Sequence, residues 1–383
     1  MRVLIVGDSC GAIEATLELA KAGWTVGIGS DSRFGWASAS RWASHWHRIP
    51  PPLGDPLEFI EAINRVARTH DYELVFGAGD AEVLALSSNR DSLVPLFPYA
   101  AHPVVLSVLD KLRLAELTAK AGFRAPVTHP ANEASLAEFE FPLVVKSRLH
   151  WSPGKSNQKT RVEATVVRNR DDALRQAEMM RCSGAEPLFQ EMISGHVQTF
   201  VALTDNAGKI LSQHLQRTTH EYGSESGISA RAMSVPVPRA FAQNVQNLLT
   251  DINWFGLASI QFIQPDDGTP ALIDFNGRMY GSLVFANACG MHAMENWARL
   301  ATGRETVPSK ELLGLKYQAL EGDLRRAKKL HGMARITEFG ACMLEAGRSV
   351  HPILSWSDPM PTLHYVRRLA MRLFGKGMRK YEG

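Results

Sequence analysis

The residues with the clearest chemistry lie between positions 256 and 282, in the segment GLASIQFIQPDDGTPALIDFNGRMYGS. Two largely apolar runs flank the turn sequence PDDG, a pattern that predicts a β-hairpin. Because alternate side chains of a strand share one face, Asp274, Asn276 and Arg278 are expected together, with Gln261 across the hairpin. Carboxylate and amide oxygens suit Mg²⁺, and a guanidinium beside them suits a phosphate bound to that ion. The alternative that this pattern leaves open is a solvated hairpin face with one ion pair.

Two lysines occupy positions where a cation is unexpected. Lys146 lies in the apolar strand sequence PLVVKSR, where an isolated charge is costly unless it meets an anion. Lys111 begins a predicted helix, at the end where the helix dipole does not favour a positive charge. Taken alone, each lysine is also explained by a buried stem whose ammonium group reaches solvent.

Four segments occur in the order and spacing of the ATP-grasp superfamily, and the chain resembles that superfamily through them. They are DK followed by a helix and AGFRAP, then PLVVKS, LFQEMISG, and finally SIQF with LIDFNGRMYGS. The resemblance covers residues 1 to about 305. It is nearest to the large subunit of carbamoyl phosphate synthetase and to biosynthetic carboxylate–amine ligases.

This resemblance implies ATP and Mg²⁺ as cofactors and assigns residues to each. The residues implied to contact ATP are Lys111, Lys146, Gln190, Glu191 and Ile193, the last three at the adenine edge, partly through backbone groups. The residues implied to bind two Mg²⁺ ions, which Mn²⁺ can replace, are Gln261, Asp274 and Asn276, with Asp274 bridging the ions. Arg278 is implied to stabilise the phosphoryl group during its transfer.

The chain departs from the superfamily pattern at three places. Gln261 stands where most relatives carry an acid, although the carbamoyl phosphate synthetase pattern also has glutamine there. Val197 stands near the hinge where a ribose-binding acid is frequent. The predicted lid, HWSPGKSNQKTR at residues 150–161, has one glycine. Two interpretations are left open: Lys155 or Ser156 contacts the phosphates, or the loop serves another task.

The segment QRTTHEYGSESGISAR, residues 216–231, supplies further candidates. In ATP-grasp relatives the corresponding loop faces the acyl phosphate and the acceptor. Arg217 and Arg231 are therefore candidate ligands of a carboxylate or phosphate, since a guanidinium binds such groups in a bidentate manner. A mobile surface loop is the competing interpretation.

The elements that must position these residues follow from the hydrophobic pattern. Strands alternate with helices to about residue 100, which predicts a parallel sheet with helices on its faces. Together with the resemblance, this gives an α/β plus α+β fold: a parallel-sheet domain over 1–105, a two-lobed ATP-grasp domain over 106–308 with its lid lobe at about 125–192, and a basic, mainly helical region over 309–383.

Gly7 and Gly11 do not form GxGxxG, so a dinucleotide site is not favoured. Trp42 and Trp46, four residues apart, are expected to pack as a helical pair.

The C-terminal sequence LHYVRRLAMRLFGKGMRK predicts a basic amphipathic helix. Leu363, Val366, Ala370 and Leu373 share one face of that helix. Packing of this face against the chain's own domain is the favoured interpretation, and contact with an anionic membrane surface is the alternative.

The bulk composition limits the possible classes of protein. A formal net charge of +3 over 383 residues does not indicate nucleic-acid binding. The four cysteines form no CxxC pair, which argues against a zinc site or a disulfide framework. The sequence also lacks a signal-peptide pattern and an apolar stretch long enough to span a bilayer, so a cytoplasmic protein is expected.

The sequence thus predicts an ATP-dependent ligase that activates a carboxylate as an acyl phosphate and joins it to an amine. The expected partners are a small-molecule carboxylate and a small-molecule amine, and the oligomeric state is not predicted. The alternatives are an ATP-dependent carboxylating or carbamoylating enzyme and a nucleotide-binding protein without catalysis.

Overall fold

The chain begins in a parallel sheet whose first strand is a run of apolar residues buried on both faces. The computed structural model describes residues 1–52, 55–150, 164–222, 228–266 and 268–374. The strands of this sheet are β1 (Arg2–Val6), β2 (Thr25–Ser30), β3 (His45–Arg48) and β4 (Leu74–Gly77), in the order β3-β2-β1-β4. The helices between and after them are α1 (Cys10–Lys21), α2 (Leu57–His70), α3 (Asp80–Ser88) and α4 (His102–Leu109). All three strand pairings are parallel, which explains why Val3 to Val6 are fully buried.

A second, smaller unit follows α5 (Lys111–Lys120). Its antiparallel sheet has the order β5-β8-β6-β7. The elements of this unit are β5 (Thr128–Pro130), α6 (Glu133–Leu136), β6 (Leu143–Ser147), β7 (Thr165–Val167), α7 (Arg170–Cys182) and β8 (Pro187–Glu191). It has a hydrophobic core of its own, in which α7 packs on the sheet through Ala173, Ala177 and Met180.

The largest sheet has six antiparallel strands in the order β13-β12-β9-β10-β11-β14. Its strands are β9 (His196–Thr204), β10 (Ile210–Tyr222), β11 (Ile228–Val235), β12 (Gly256–Gln264), β13 (Ala271–Asn276) and β14 (Lys316–Gln318). The helices associated with it are α8 (Arg239–Asp251), α9 (Leu283–Ala288) and α10 (Ala293–Ala301). One continuous core joins this sheet to the parallel sheet, for example where Trp297 packs on Phe76 and donates a hydrogen bond to the Pro98 carbonyl at 2.8 Å.

Three helices complete the described chain: α11 (Leu320–Lys328), α12 (Gly332–Ala346) and α13 (Pro359–Phe374). Because β14 pairs with β11, this C-terminal region is joined to the six-stranded sheet by backbone hydrogen bonds. Within the described ranges, no helix is both long enough and apolar enough to cross a bilayer.

The mixed α/β architecture with one parallel and two antiparallel sheets confirms the predicted fold class at that level. The hairpin predicted around PDDG is confirmed as β12 and β13. The helical pairing of Trp42 and Trp46 is wrong: Trp46 lies in strand β3, and Trp42 donates from its indole nitrogen to the Ser357 carbonyl at 3.2 Å. The domain boundaries at 105 and 308 stay predictions.

Candidate active site

A cavity of about 1480 Å³ lies between the smaller antiparallel sheet and the six-stranded sheet. Strands β6 and β8 line one side through Lys146 and Gln190, and β12 and β13 line the other through Gln261 and Asp274. Sites for single small molecules range up to roughly 1,000 Å³. The cavity therefore has room for a nucleotide and a second molecule.

Lys111 reaches this cavity from the first turn of α5. The preceding Asp110 caps the helix by accepting a hydrogen bond from the Leu112 amide at 3.0 Å, and Arg148 Nη2 donates to the same carboxylate at 2.7 Å. These contacts fix the start of the helix, so that the buried Lys111 ammonium donates to Asp274 Oδ1. The sequence placed Lys111 at a helix start, and the structure shows a carboxylate as its partner.

Lys146 enters the cavity from the middle of β6. Its ammonium donates to the Ile273 carbonyl at 3.1 Å. Burial, reinforced by the nearby charge of Lys111, lowers the pKa of Lys146 to about 7, although Asp274 acts in the opposite direction. A buried lysine in this state is stabilised in its charged form by any anion that enters the cavity. Its surroundings fit a phosphate contact.

The three predicted metal ligands lie together on the β12–β13 pair. Gln261 is directly opposite Asp274 in the strand register, and Asn276 Nδ2 donates to Asp274 Oδ2 at 3.2 Å. All three line the cavity. A Cβ atom on the following Gly277 would lie 2.3 Å from the Trp254 ring, so this strand end packs closely on the core. One carboxylate and two amide oxygens form a hard donor set that fits Mg²⁺.

Arg278 is held by a residue that the sequence analysis missed. Its Nε donates to Asp80 Oδ1 at 2.6 Å and its Nη2 to Asn276 Oδ1 at 3.2 Å. His150 Nδ1 lies 2.9 Å from the other oxygen of Asp80. Burial alone would raise the pKa of Asp80, but the charge of Arg278 and the contact with His150 hold it well below the usual value. Asp80 thus links the parallel-sheet unit to the wall that carries Arg278.

The predicted adenine edge is also part of the cavity lining. Gln190 and Ile193 are buried there, and Gln190 Nε2 donates to Thr128 Oγ1 at 2.8 Å. The Glu191 carboxylate forms an ion pair with Arg124 and accepts from the Val127 amide at 3.2 Å. Since both side chains are engaged by the protein, a ligand at this edge would meet mainly backbone groups. Val197 lines the cavity close by.

The opposite end of the cavity is formed by the C-terminal region, which the sequence analysis did not include in the site. It is lined by Arg325 and Lys328 of α11 and by the following Lys329. Tyr365 of α13 adds an aromatic ring that stacks on Trp36 with centroids 5.6 Å apart. The sequence identified this segment only as basic and mainly helical, so its contribution to the cavity was not predicted.

Arg217 and Arg231 lie outside the described lining of the cavity, whereas the resemblance implied that they face substrate. Arg217 is exposed on β10, and its guanidinium donates to Met233 Sδ at 3.5 Å. Its neighbour Gln216 faces the cavity instead, as strand alternation requires.

Arg231 is engaged in a buried ion-pair network. Its Nε lies 2.5 Å from Asp323 Oδ2, and its Nη2 lies 3.0 Å from Glu338 Oε1. Asp323, Glu338 and Cys342 are close enough together to share a metal ion, but Arg231 and Arg326 already pair with both carboxylates. The cluster therefore joins β11 to α11 and α12 as a structural contact. Lys155 and Ser156 lie outside the described residues.

Solved structures share this fold at low sequence identity. An N5-carboxyaminoimidazole ribonucleotide synthetase in complex with ADP has a TM-score of 0.67 at 11% identity, covering 91% of this chain and 97% of the other. The L-amino acid ligase from Bacillus licheniformis has a TM-score of 0.61 at 14% identity, covering 78% of this chain and 73% of the other. No family model and no curated protein sequence matches the chain.

A third similar structure is the biotin carboxylase domain of the Hydrogenobacter thermophilus 2-oxoglutarate carboxylase, in complex with MgADP, ADP and bicarbonate. Its TM-score is 0.63 at 14% identity, covering 82% of this chain and 73% of the other. All three are ATP-grasp enzymes, and the chain has the ATP-grasp fold. The resemblance drawn from the sequence is thereby confirmed for the fold.

Proposed function

We propose that the protein is an ATP-dependent ligase that activates a carboxylate as an acyl phosphate and joins it to an amine. The observation that carries this proposal is the convergence of Lys111, Lys146, Asp274 and Arg278 on one cavity that also has room for a second substrate. The ligases and carboxylase that share the fold, two of them solved with ADP, support the same chemistry.

The proposed reaction needs charge neutralisation and positioning more than a protein nucleophile. A carboxylate oxygen of the substrate attacks the γ-phosphorus of ATP, and the bond between the γ-phosphorus and the oxygen of ADP breaks. The amine nitrogen then attacks the acyl carbon, and phosphate leaves. Lys146 and Arg278 line the cavity and would contact the oxygens on which negative charge is carried during the first step.

Gln261, Asp274 and Asn276 line the cavity and would hold Mg²⁺; two ions are proposed, for which Mn²⁺ would substitute. When bound, the metal neutralises phosphate charge and polarises the phosphoryl group. Lys111 already binds Asp274 and holds the carboxylate in the cavity wall. Asp80 holds Arg278 from the other side, so that the guanidinium is oriented before substrate binds.

The division of the cavity follows from its lining. The adenine would lie at the hinge formed by Gln190, Glu191 and Ile193, and the phosphates beside Lys146. The second substrate would then occupy the end lined by α11 and Tyr365. The cations of α11 fit the negative charge of a carboxylate substrate.

ATP-dependent carboxylation is a second candidate, because a carboxylase domain with bound bicarbonate shares the fold. Both reactions begin with attack of an oxyanion on ATP, and they differ in the acid that is activated. A nucleotide-binding protein without catalysis is the third possibility, and it would release no ADP with any acid.

The test is a screen for acid-dependent ADP release. The purified protein is incubated with ATP and Mg²⁺ against pools of amino acids and small carboxylic acids, and against bicarbonate. ADP release that needs an organic acid and an amine supports the ligase, and release with bicarbonate alone supports the carboxylase. Tight ATP binding without ADP release in every pool would contradict both.

A further inference from the structure

The C-terminal region carries a large share of the apolar surface of the molecule. Among the described residues, nineteen large apolar side chains are exposed, and eleven of these lie between positions 312 and 366. Exposed apolar residues scattered singly need no explanation, but a concentration of them indicates an interaction surface. The C-terminal region is therefore the candidate for an interaction surface among the described residues.

Positive charge is concentrated in the same C-terminal region. Residues 309–383 contain fourteen Lys and Arg against seven Asp and Glu, a formal net charge of +7. The preceding 308 residues contain 28 Lys and Arg against 32 Asp and Glu, a formal net charge of −4. The apolar surface is therefore set in the basic part of the molecule, which fits a partner that is both apolar and anionic.

Helix α13 shows how this surface is presented. One face packs on the parallel-sheet unit: His364 stacks on Phe34 with centroids 5.9 Å apart, and Tyr365 stacks on Trp36. Just before the helix, the buried Asp358 carboxylate accepts hydrogen bonds from the Ser40 hydroxyl and from the Arg41 amide, the latter at 3.2 Å. The helix is thus anchored along one side.

The opposite face of α13 is apolar and exposed. Met360, Leu363 and Val366 are 41%, 58% and 53% exposed, and they recur at helical spacing on the side away from Tyr365. Arg367 is exposed beside them. Trp356, immediately before the helix, is 99% exposed. The sequence analysis favoured packing of this face on the chain's own domain, and the exposure of Leu363 and Val366 contradicts that expectation.

We propose that Trp356 and the outer face of α13, formed by Met360, Leu363, Val366 and Arg367, dock on a membrane surface that contains anionic lipid. An amphipathic helix with a basic margin binds in the headgroup region of such a membrane, and tryptophan favours the same depth. A second copy of the chain fits less well, because a symmetric contact would bring the basic regions of both copies together. Tyr365 lines the cavity from the other face, so docking would hold the far end of the cavity near the membrane.

Co-sedimentation of the full chain with lipid vesicles tests this proposal. We expect binding to phosphatidylcholine vesicles that contain phosphatidylglycerol, a steep decrease as salt concentration rises, and no binding to phosphatidylcholine alone. The double variant Leu363→Glu/Val366→Glu should weaken the binding by about tenfold or more, because the apolar face no longer enters the headgroup region. Arg367→Glu should weaken it to a smaller extent.

The matched control is Met179→Glu, which places the same charge on an apolar side chain that is 61% exposed on α7. Circular dichroism confirms that each variant is folded, and vesicle binding needs no enzymatic activity. Absence of binding to the anionic vesicles, or an equal loss in Met179→Glu, would overturn the proposal. So would light scattering that shows a dimer which the double variant converts to monomer, since the face would then bind a second copy.

Discussion

The strand pairs β12–β13 and β10–β11 belong to one sheet, and the sequence marks candidate residues on both. On β12–β13 and directly after it, Asp274, Asn276 and Arg278 line the cavity. On β10–β11, Arg217 is exposed and Arg231 is paired with Asp323 and Glu338. Each place carries a candidate arginine, and the difference lies in what the guanidinium contacts.

An arginine in the sequence predicts an anionic partner, but it does not show whether that partner is a substrate or a carboxylate of the protein. Arg278 is also paired, since Asp80 accepts from it. It nevertheless remains on the cavity wall, where a phosphoryl group would be a second anionic partner. Arg231 pairs instead with carboxylates of α11 and α12, which join the C-terminal region to the sheet. We therefore expect substitutions of Asp274 and Arg278 to change catalysis, and substitutions of Arg217 and Arg231 to change stability or nothing.

The largest effect is expected for Asp274→Asn. Loss of the only carboxylate among the proposed metal ligands should lower kcat by on the order of a thousandfold, because metal stabilisation of the transferring group amounts to several kcal/mol. Steady-state ADP release measures this change. Asp266→Asn, at the exposed turn of the same hairpin, is the control and should be fully active. A fully active Asp274→Asn would remove Asp274 from the mechanism.

Arg231→Ala should destabilise the protein without changing the chemistry of the site. The change leaves the fully buried Asp323 without one of its partners, and breaking such a pair costs about 3 kcal/mol of unfolding free energy. Urea denaturation measures the loss. The exposed ion pair of Arg175 with Asp172 is the control, and Arg175→Ala should cost less than about 1 kcal/mol. Unchanged stability together with a large rise in the KM of the acid would restore Arg231 to the substrate site.

Nucleotide binding should be linked to proton uptake by Lys146. In the nucleotide-free protein the pKa of this lysine is lowered to about 7 by burial and by Lys111, so at pH 8 the amine is mostly neutral. The charge of the bound phosphates favours the ammonium form of Lys146, so nucleotide binding should take up a proton at pH 8. At pH 6 the lysine is already protonated, and little proton uptake is expected. The affinity for nucleotide should therefore fall as the pH rises above 7. Titration calorimetry of a non-hydrolysable ATP analogue in buffers of different ionisation enthalpy measures this uptake. The Lys146→Met variant should lose it. A heat of binding that is independent of the buffer at pH 8 in the unsubstituted protein would contradict the assignment.

The smallest effect is expected for Arg217→Ala. Its side chain is exposed and lies outside the cavity lining. We therefore expect kcat and the KM values of ATP, the acid and the amine to change by no more than about twofold. The unfolding free energy should change by no more than about 0.5 kcal/mol. Parallel kinetics and denaturation of this variant and Arg231→Ala complete the comparison. A decrease of more than tenfold in kcat for Arg217→Ala would show that Arg217 reaches the substrate.

Local patterns predicted the hairpin of β12 and β13, and the resemblance to ATP-grasp proteins assigned a function to its polar face. The alternation around Ile273 and Phe275 and the turn sequence PDDG fix both the hairpin and the face that carries Asp274 and Asn276. Lys146 was a candidate because a cation within an apolar strand needs an anion nearby, and its contact with ATP was implied by the resemblance. These signals depend on residues a few positions apart in the chain.

The features that were missed depend on distant residues. Asp80 meets Arg278 across 198 positions, and Arg231 meets Asp323 across 92, so no local pattern could reveal either pair. The spacing of Trp42 and Trp46 also fits a helix, but pairing of β3 with β2 makes the second of them a strand residue. Tertiary packing decided these positions over local preference.

The proposed ligase activity depends most directly on formation of an acyl phosphate in the cavity. With the acid identified by the ADP screen and hydroxylamine in place of the amine, the product should be a hydroxamate formed together with one equivalent of ADP. Arg278→Ala should lower the rate of hydroxamate formation by roughly 10²–10³-fold, and it should weaken ATP binding much less, because its contact strengthens as charge develops during transfer. Hydroxamate formation with this dependence is the result that the account predicts. Tight ATP binding with neither hydroxamate nor ADP from any acid would contradict it and leave only the fold.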